Sequence, residues 1–117
     1  MGRGWRTRAL RCVLLGWAAG AFADPDPAAI DRGQALAFAS GRGNCLACHA
    51  IAGGQQMGDI GPPLADMRAR FPDRAALRAQ IHDARINNPD TLMPPYGQHE
   101  LLSADEIEHL IDFLYTR

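Results

Sequence analysis

The sequence of 117 residues contains no lysine, only three cysteines and few aromatic side chains, which make up 7% of the chain. No run of alternating apolar and polar residues predicts a β-strand. Internal repeats and low-complexity tracts are also missing, and the length allows one domain and little else. We therefore expect a single all-α domain.

The sequence also lacks an apolar run of the ~20 residues that a membrane-spanning helix requires. Four arginines within residues 3–11 precede a shorter apolar run from Cys12 to Phe22. That run ends in Ala21-Phe22-Ala23, with small residues at the positions that a signal peptidase recognises. We predict a cleavable signal peptide at residues 1–23, which directs a domain at residues 24–117 to the periplasm. A retained membrane anchor is the alternative.

The predicted domain has no excess of positive charge. The leader carries four arginines and no acidic residue, so its removal lowers the formal net charge from −1 to about −5. A mildly acidic domain argues against binding to nucleic acid or to an anionic membrane surface.

Cysteine is too scarce to stabilise this domain through disulfides. After removal of the leader only Cys45 and Cys48 remain, and a bridge between them would close a very short loop and constrain the unfolded chain little. A domain of this size has a thin apolar core and usually requires a disulfide, a metal or a cofactor. We therefore expect a bound group to complete the core.

The stretch GNCLACH, residues 43–49, supplies such a site. A redox dithiol would place the two cysteines at the start of a helix in a βαβ unit, which this sequence does not predict. A structural zinc ion requires four ligands, and no other pair of histidines or cysteines has a suitable spacing. Covalent haem accounts for all three residues, because Cys45 and Cys48 would each bond a vinyl group while His49 binds the iron.

The apolar periodicity and the turn residues predict several short helices. Gly33 and Ala37 lie four residues apart on the first helix, which allows a second helix to approach closely. Ser103 and Glu106 form a capping box at the start of the last helix. The predicted helices cover residues 28–40 and 64–70, a segment from Pro72 with Leu77, Ile81 and Ala84 on one face, and Ala104 to about Tyr115.

A haem iron bound by His49 has a second axial position. The candidate ligands are Met57, Met67, Met93, His82, His99 and His109. We favour Met93, because Pro94 and Pro95 stiffen its loop and a thioether is a weak ligand that depends on a preordered loop. His99 is the second choice.

The Gly61-Pro62 loop follows His49 and could orient its ring. We expect the carbonyl of Pro62 to accept a hydrogen bond from the other ring nitrogen, which fixes the tautomer of His49 and raises its basicity as a ligand. Histidine and methionine together raise the reduction potential and leave no open position on the iron, so electron transfer is the expected activity.

These residues resemble the class I cytochrome c family, whose fold has four to five short helices around one covalently bound haem c. Within that class the sequence is similar to the SoxX family through GNCLACH, DIGPPL (59–64) and NPDTLMPPYGQHELLSADEIEHLIDFL (88–114). The resemblance implies that Cys45 and Cys48 hold the haem and that His49 and Met93 bind its iron.

The resemblance also implies partners. SoxX forms a heterodimer with SoxA, which couples thiosulfate to a cysteine of a carrier protein, and SoxX passes the electrons to a downstream cytochrome. This chain is then expected to carry no catalytic residue of its own. A free-standing cytochrome c shuttle that serves an oxidase or another dehydrogenase is the main alternative, and a haem-based gas sensor is a third.

Overall fold

The structure is a computed structural model that describes residues 1–2 and 24–117. The predicted signal peptide and membrane-anchor alternative fall on residues 1–23 and therefore lie outside the described residues, apart from Met1 and Gly2. No helix within the described ranges is long and apolar enough to cross a membrane.

The described part of the chain consists of helices joined by loops and contains no strand, which confirms the all-α prediction. The four α-helices are α1 (Pro27–Phe38), α2 (Met67–Arg70), α3 (Arg74–His82) and α4 (Ala104–Leu114). Two short 3₁₀ helices lie at Cys45–Ala47 and Ala84–Ile86.

The helix starts follow from capping side chains. The carboxylates of Asp26 and Asp73 accept hydrogen bonds from the N–H groups of Ala28 in α1 and Ala75 in α3, at 3.0 and 2.9 Å. At α4 the Ser103 hydroxyl accepts from the Glu106 N–H at 3.2 Å, and the Glu106 carboxylate accepts from the Ser103 N–H at 2.9 Å. The predicted capping box is therefore present.

The predicted and observed helix boundaries differ most at the start of α2 and at the end of α3, whereas α1 ends at Phe38 and α3 begins at Arg74, each two residues from the prediction. The helix expected at residues 64–70 begins only at Met67, because the Leu64 N–H donates to the Ala50 carbonyl at 2.8 Å and draws this segment onto the loop after GNCLACH. The helix expected to continue through Ala84 ends at His82, since Asp83 is extended and its carboxylate caps the following 3₁₀ turn. Leu77, Ile81 and Ala84 are nevertheless all buried on one face.

Helices α1 and α4 cross in close contact at Gly33. A Cβ atom at this glycine would lie 2.6 Å from the backbone carbonyl carbon of His109 and 2.8 Å from Phe113 Cβ. Real Cβ atoms do not approach other atoms so closely, so only glycine permits this crossing. The close approach predicted from Gly33 and Ala37 is confirmed, and it fixes where α4 lies against the rest of the domain.

Charged residues hold α3 against α4. Arg74 donates to Glu108 at 2.8 Å and to Asp112 at 2.7 Å, and Arg78 also pairs with Glu108. The hydrogen bond from Arg78, together with the charge of Arg74, lowers the pKa of Glu108 below its usual value. The side chains are partly exposed, so these pairs orient the helices more than they stabilise them.

The apolar core lies where α4 meets α1 and α3, and extends to the segments before α2 and after Met93. Its buried members are Ala37, Ile51, Met67, Leu77, Ile81, Tyr96, Leu102, Ile107, Leu110, Ile111, Phe113 and Leu114. The buried face of α4 consists of Ile107, Leu110, Ile111, Phe113 and Leu114. Four of the core residues also line a cavity beside the core, namely Met67, Leu77, Ile81 and Tyr96.

Candidate functional site

The GNCLACH segment forms a tight turn of 3₁₀ helix. Asn44 takes a left-handed conformation (φ 51°, ψ 35°), and the N–H groups of Cys48 and His49 both donate to the Cys45 carbonyl, at 3.2 and 2.9 Å. Both thiols are free and half-buried. The turn brings Cys45, Cys48 and His49 to the wall of one cavity.

The His49 ring is fixed from behind by the Gly61-Pro62 loop. Its Nδ1 lies 2.7 Å from the Pro62 carbonyl oxygen, which requires the proton to be on Nδ1 and leaves the lone pair of Nε2 free. A Cβ atom at Gly61 would lie 2.6 Å from Nδ1, so only a glycine lets this loop pass so close to the ring. The Gly61 N–H also donates to the Cys48 carbonyl at 2.7 Å, which ties the two loops together.

The cavity has a volume of about 450 Å³ and largely apolar walls. Its deep wall consists of buried or half-buried side chains of the short helices and the loop before them, namely Leu64, Met67, Phe71, Leu77 and Ile81. Another wall is formed by Met93, Tyr96 and the neighbouring residues 88, 90–92 and 94. The site therefore combines two thiols, an imidazole and a thioether with an apolar interior.

The six candidates for the second iron ligand occupy very different places. Met93 and Met67 line the cavity, whereas Met57 and the three histidines do not. Met67 is 2% exposed and belongs to the apolar core, and its sulfur is 3.5 Å from the Arg70 guanidinium. Met93 is half-buried on the loop after α3.

The other candidates have different surroundings. Met57 is 46% exposed and its sulfur accepts a hydrogen bond from the Ile51 N–H at 3.1 Å. His82 and His99 are exposed, and the ring of His82 packs against Gly97. His109 lies in a separate groove between α1 and α4. Within residues 24–117 no group of three or more histidine, cysteine, aspartate or glutamate side chains is arranged to hold a metal ion.

Two further cavity residues were missed by the sequence analysis. Arg70 lines the cavity, and its Nη1 donates to the carbonyls of Pro63 and Ala65 at 2.7 and 3.2 Å. Tyr96 donates its hydroxyl proton to the carbonyl of Gly43. Arg70 belongs to no motif, and Tyr96 lies within the 88–114 segment that resembles SoxX but was given no role there, because both roles depend on loops that meet only in the folded chain.

Burial raises the pKa of two polar groups of the cavity. Loss of water around the thiol raises the pKa of Cys45 to about 11, and burial likewise raises the pKa of Tyr96 to about 12. Both groups are therefore protonated at neutral pH. Before any bond to a cofactor forms, the Cys45 thiol ionises less readily than an ordinary cysteine. Because the thiolate is the nucleophile, this disfavours Cys45 as the attacking thiol of a redox pair.

Comparison with known proteins agrees with this geometry. A family model described as cytochrome c oxidase, cbb3-type, subunit III matches residues 28–114. The chain belongs to this cytochrome c family. A search of the curated proteins finds no significant match for this cytochrome. Among solved structures, the cytochrome is similar to the crystal structure of SoxXA from P. pantotrophus, with 27% identity and a TM-score of 0.66 over 74% of this chain and 79% of that chain.

These similarities show that the protein is a SoxX-like class I cytochrome c with an electron-transfer function, and the family implies haem c as its cofactor. The described residues fit such a group. The thiols of Cys45 and Cys48, the free Nε2 of His49 and the sulfur of Met93 all line one apolar cavity. Arg70 adds a positive charge there, which suits the carboxylates of a haem.

Proposed function

We propose that this chain is the SoxX subunit of a periplasmic thiosulfate-oxidising complex with a SoxA-type cytochrome, and that it carries one covalently bound haem c. Cys45 and Cys48 would hold the haem, and His49 and Met93 would bind its iron. The observation that carries the proposal is that all four side chains line a single cavity in a chain similar to a SoxXA structure.

The haem, when bound, supplies reversible one-electron exchange at its iron. The chain's own residues do the rest. Cys45 and Cys48 would hold the haem covalently through thioether bonds. The Pro62 carbonyl keeps the proton of His49 on Nδ1, and the apolar wall of Leu64, Leu77 and Ile81 excludes water.

The residues at the edge of the cavity favour a stable complex with a partner subunit over the transient contacts of an electron shuttle. Four of the exposed residues that line the cavity are apolar and are here called the apolar rim: Ile60, Pro62, Leu92 and Pro94. The other exposed lining residues are polar or charged, namely Asn44, Arg70, Asn88 and Asp90. Ile60 and Leu92 are 65% and 77% exposed, and an apolar patch beside a cavity is a surface that a partner protein can cover. A mobile shuttle would instead be expected to surround this opening with charge.

Reconstitution tests the proposed role. The purified cytochrome is expected to elute as a complex with a SoxA-type subunit. It is also expected to become reduced when thiosulfate and the carrier protein are added to that complex. The same mixture without the SoxA-type subunit is the control and should leave the haem oxidised. Reduction in its absence, or no complex at all, would instead support a free-standing shuttle. Accumulation of the protein in a periplasmic extract, with Asp24 as its first residue, tests the predicted export.

A further inference from the structure

Tyr96 connects the loop of the proposed sulfur ligand to the haem-attachment loop. Its side chain is 8% exposed, lines the cavity and donates a hydrogen bond to the carbonyl oxygen of Gly43. Gly43 precedes Cys45 by two residues and lies 53 residues from Tyr96 along the chain. One hydroxyl group therefore joins the loops that bear Cys45 and Met93.

The acceptor of this hydrogen bond is rigidly held. The Gly43 N–H donates to the Leu36 carbonyl at 3.0 Å, and the next N–H, of Asn44, donates to the Ala39 carbonyl at 3.0 Å. Gly43 is buried, and a Cβ atom there would lie 2.7 Å from the Leu36 oxygen. The Gly43 carbonyl is thus fixed to the end of α1 and provides a firm anchor for Tyr96.

A short, stiff segment, Pro94-Pro95, connects Tyr96 to Met93, so the position of Tyr96 restrains that of Met93. Only Pro94 and Pro95 separate the two residues, and each proline ring fixes its own φ angle. The Tyr96 carbonyl also accepts from the Leu102 N–H at 3.1 Å. On the other side of Met93 the restraint is local, since its N–H donates to the Thr91 hydroxyl at 3.2 Å and residues 88–90 and 92 are exposed.

We propose that Tyr96 is a positioning residue whose hydroxyl holds Met93 in place as a ligand. The proposal rests on the coordination by Met93 given above. A thioether is a weak ligand, so a modest loosening of its loop shifts the competition between Met93 and an added ligand. Loss of the hydrogen bond between Tyr96 and Gly43 would loosen the Pro94-Pro95 segment at its Tyr96 end. Met93 would then dissociate from the iron more easily.

The test is the replacement Tyr96→Phe, which removes the hydroxyl and keeps the ring. Tyr115→Phe is a matched control, because Tyr115 also donates to a distant backbone carbonyl, that of Phe71 at 2.8 Å, but does not line the cavity. Imidazole is titrated into the ferric haem proteins and the loss of the sulfur-ligation band in the far red is followed. We expect Tyr96→Phe to bind imidazole about tenfold more tightly than the wild type, and Tyr115→Phe to match the wild type.

Equal imidazole affinities in the two variants, or no change in Tyr96→Phe, would overturn the role of Tyr96. Absence of the far-red band from the wild type would instead show that Met93 does not ligate, which is a failure of the proposed coordination. If Tyr96→Phe does not incorporate haem, NMR of the wild type decides. The hydroxyl proton of Tyr96 should lose its protection from solvent exchange when imidazole replaces Met93, and retained protection would refute the proposal.

Discussion

At the scale of single residues, Met93 is the site residue that a substitution tests most directly. Met93→Ala removes the thioether, so we expect the far-red band of the ferric protein to disappear and the reduction potential to fall, because methionine opposite histidine raises that potential. Absorption spectra and redox titration measure both effects. Met57→Ala is the control, since Met57 is exposed and lies outside the cavity, and it should leave both unchanged.

A companion variant separates the two methionines that line the cavity. Met67→Leu nearly preserves the volume of this buried side chain, so the fold should persist with a cost below about 1.5 kcal/mol. We expect its far-red band to remain. A band that survives in Met93→Ala and vanishes in Met67→Leu would assign the sulfur ligand to Met67.

How far single residues can be predicted from sequence depends on whether their partners are close in the chain. Cys45, Cys48 and His49 are adjacent, so their spacing alone predicted a shared site, and the structure places all three on one cavity. Arg70 and Tyr96 carry no such signal. The loop carbonyls that hold Arg70 and the Gly43 carbonyl that binds Tyr96 could have belonged to any loop until the chain folded.

At the scale of helices, Gly33 permits a test in which two effects have opposite signs. In a solvated helix, Gly33→Ala would stabilise the fold by about 1 kcal/mol, because alanine is the better helix former. Here the new Cβ would lie 2.6 Å from the His109 carbonyl carbon, and overpacking of this kind costs about 1–3 kcal/mol. We expect net destabilisation, measured by denaturant unfolding of the haem protein.

The control for this substitution is Gly41→Ala, in the turn after α1, where an added Cβ would meet no atom within 4 Å. That variant should unfold at or slightly above the wild-type denaturant concentration. A Gly33→Ala protein as stable as the Gly41→Ala protein would show that α1 and α4 separate without cost, contrary to the observed crossing.

Helix ends were predicted less well than helix existence, for a physical reason. The apolar periodicity correctly placed Leu77, Ile81 and Ala84 on a buried face, yet it carried no information about the break at Asp83. That break arises because the Asp83 carboxylate competes for a backbone N–H and caps the next turn. Leu64 similarly leaves its expected helix for a hydrogen bond to the distant Ala50 carbonyl.

At the scale of the whole molecule, the cavity and its apolar rim make this small domain dependent on other components. The deep wall faces inward to a cofactor, which is how a thin core can be completed in a chain of this size. Ile60 and Leu92 face outward from the same opening. A partner that covers them would bind beside the proposed haem site, where the distance for electron transfer between the two proteins is shortest.

Substitution of the rim tests whether a lasting partner binds there. Leu92→Glu places a charge on the most exposed aliphatic residue of the rim, and burial of that unpaired charge against a partner would be costly. We expect affinity for the SoxA-type subunit to fall by at least about tenfold, as calorimetry or surface binding would measure, while the absorption spectrum stays unchanged. Leu101→Glu makes the same chemical change at a residue that is 49% exposed and outside the cavity lining, so it should bind normally. Wild-type affinity in both variants would place the interface elsewhere. An equal loss of affinity in both variants would indicate that added negative charge, rather than the rim, weakens the complex.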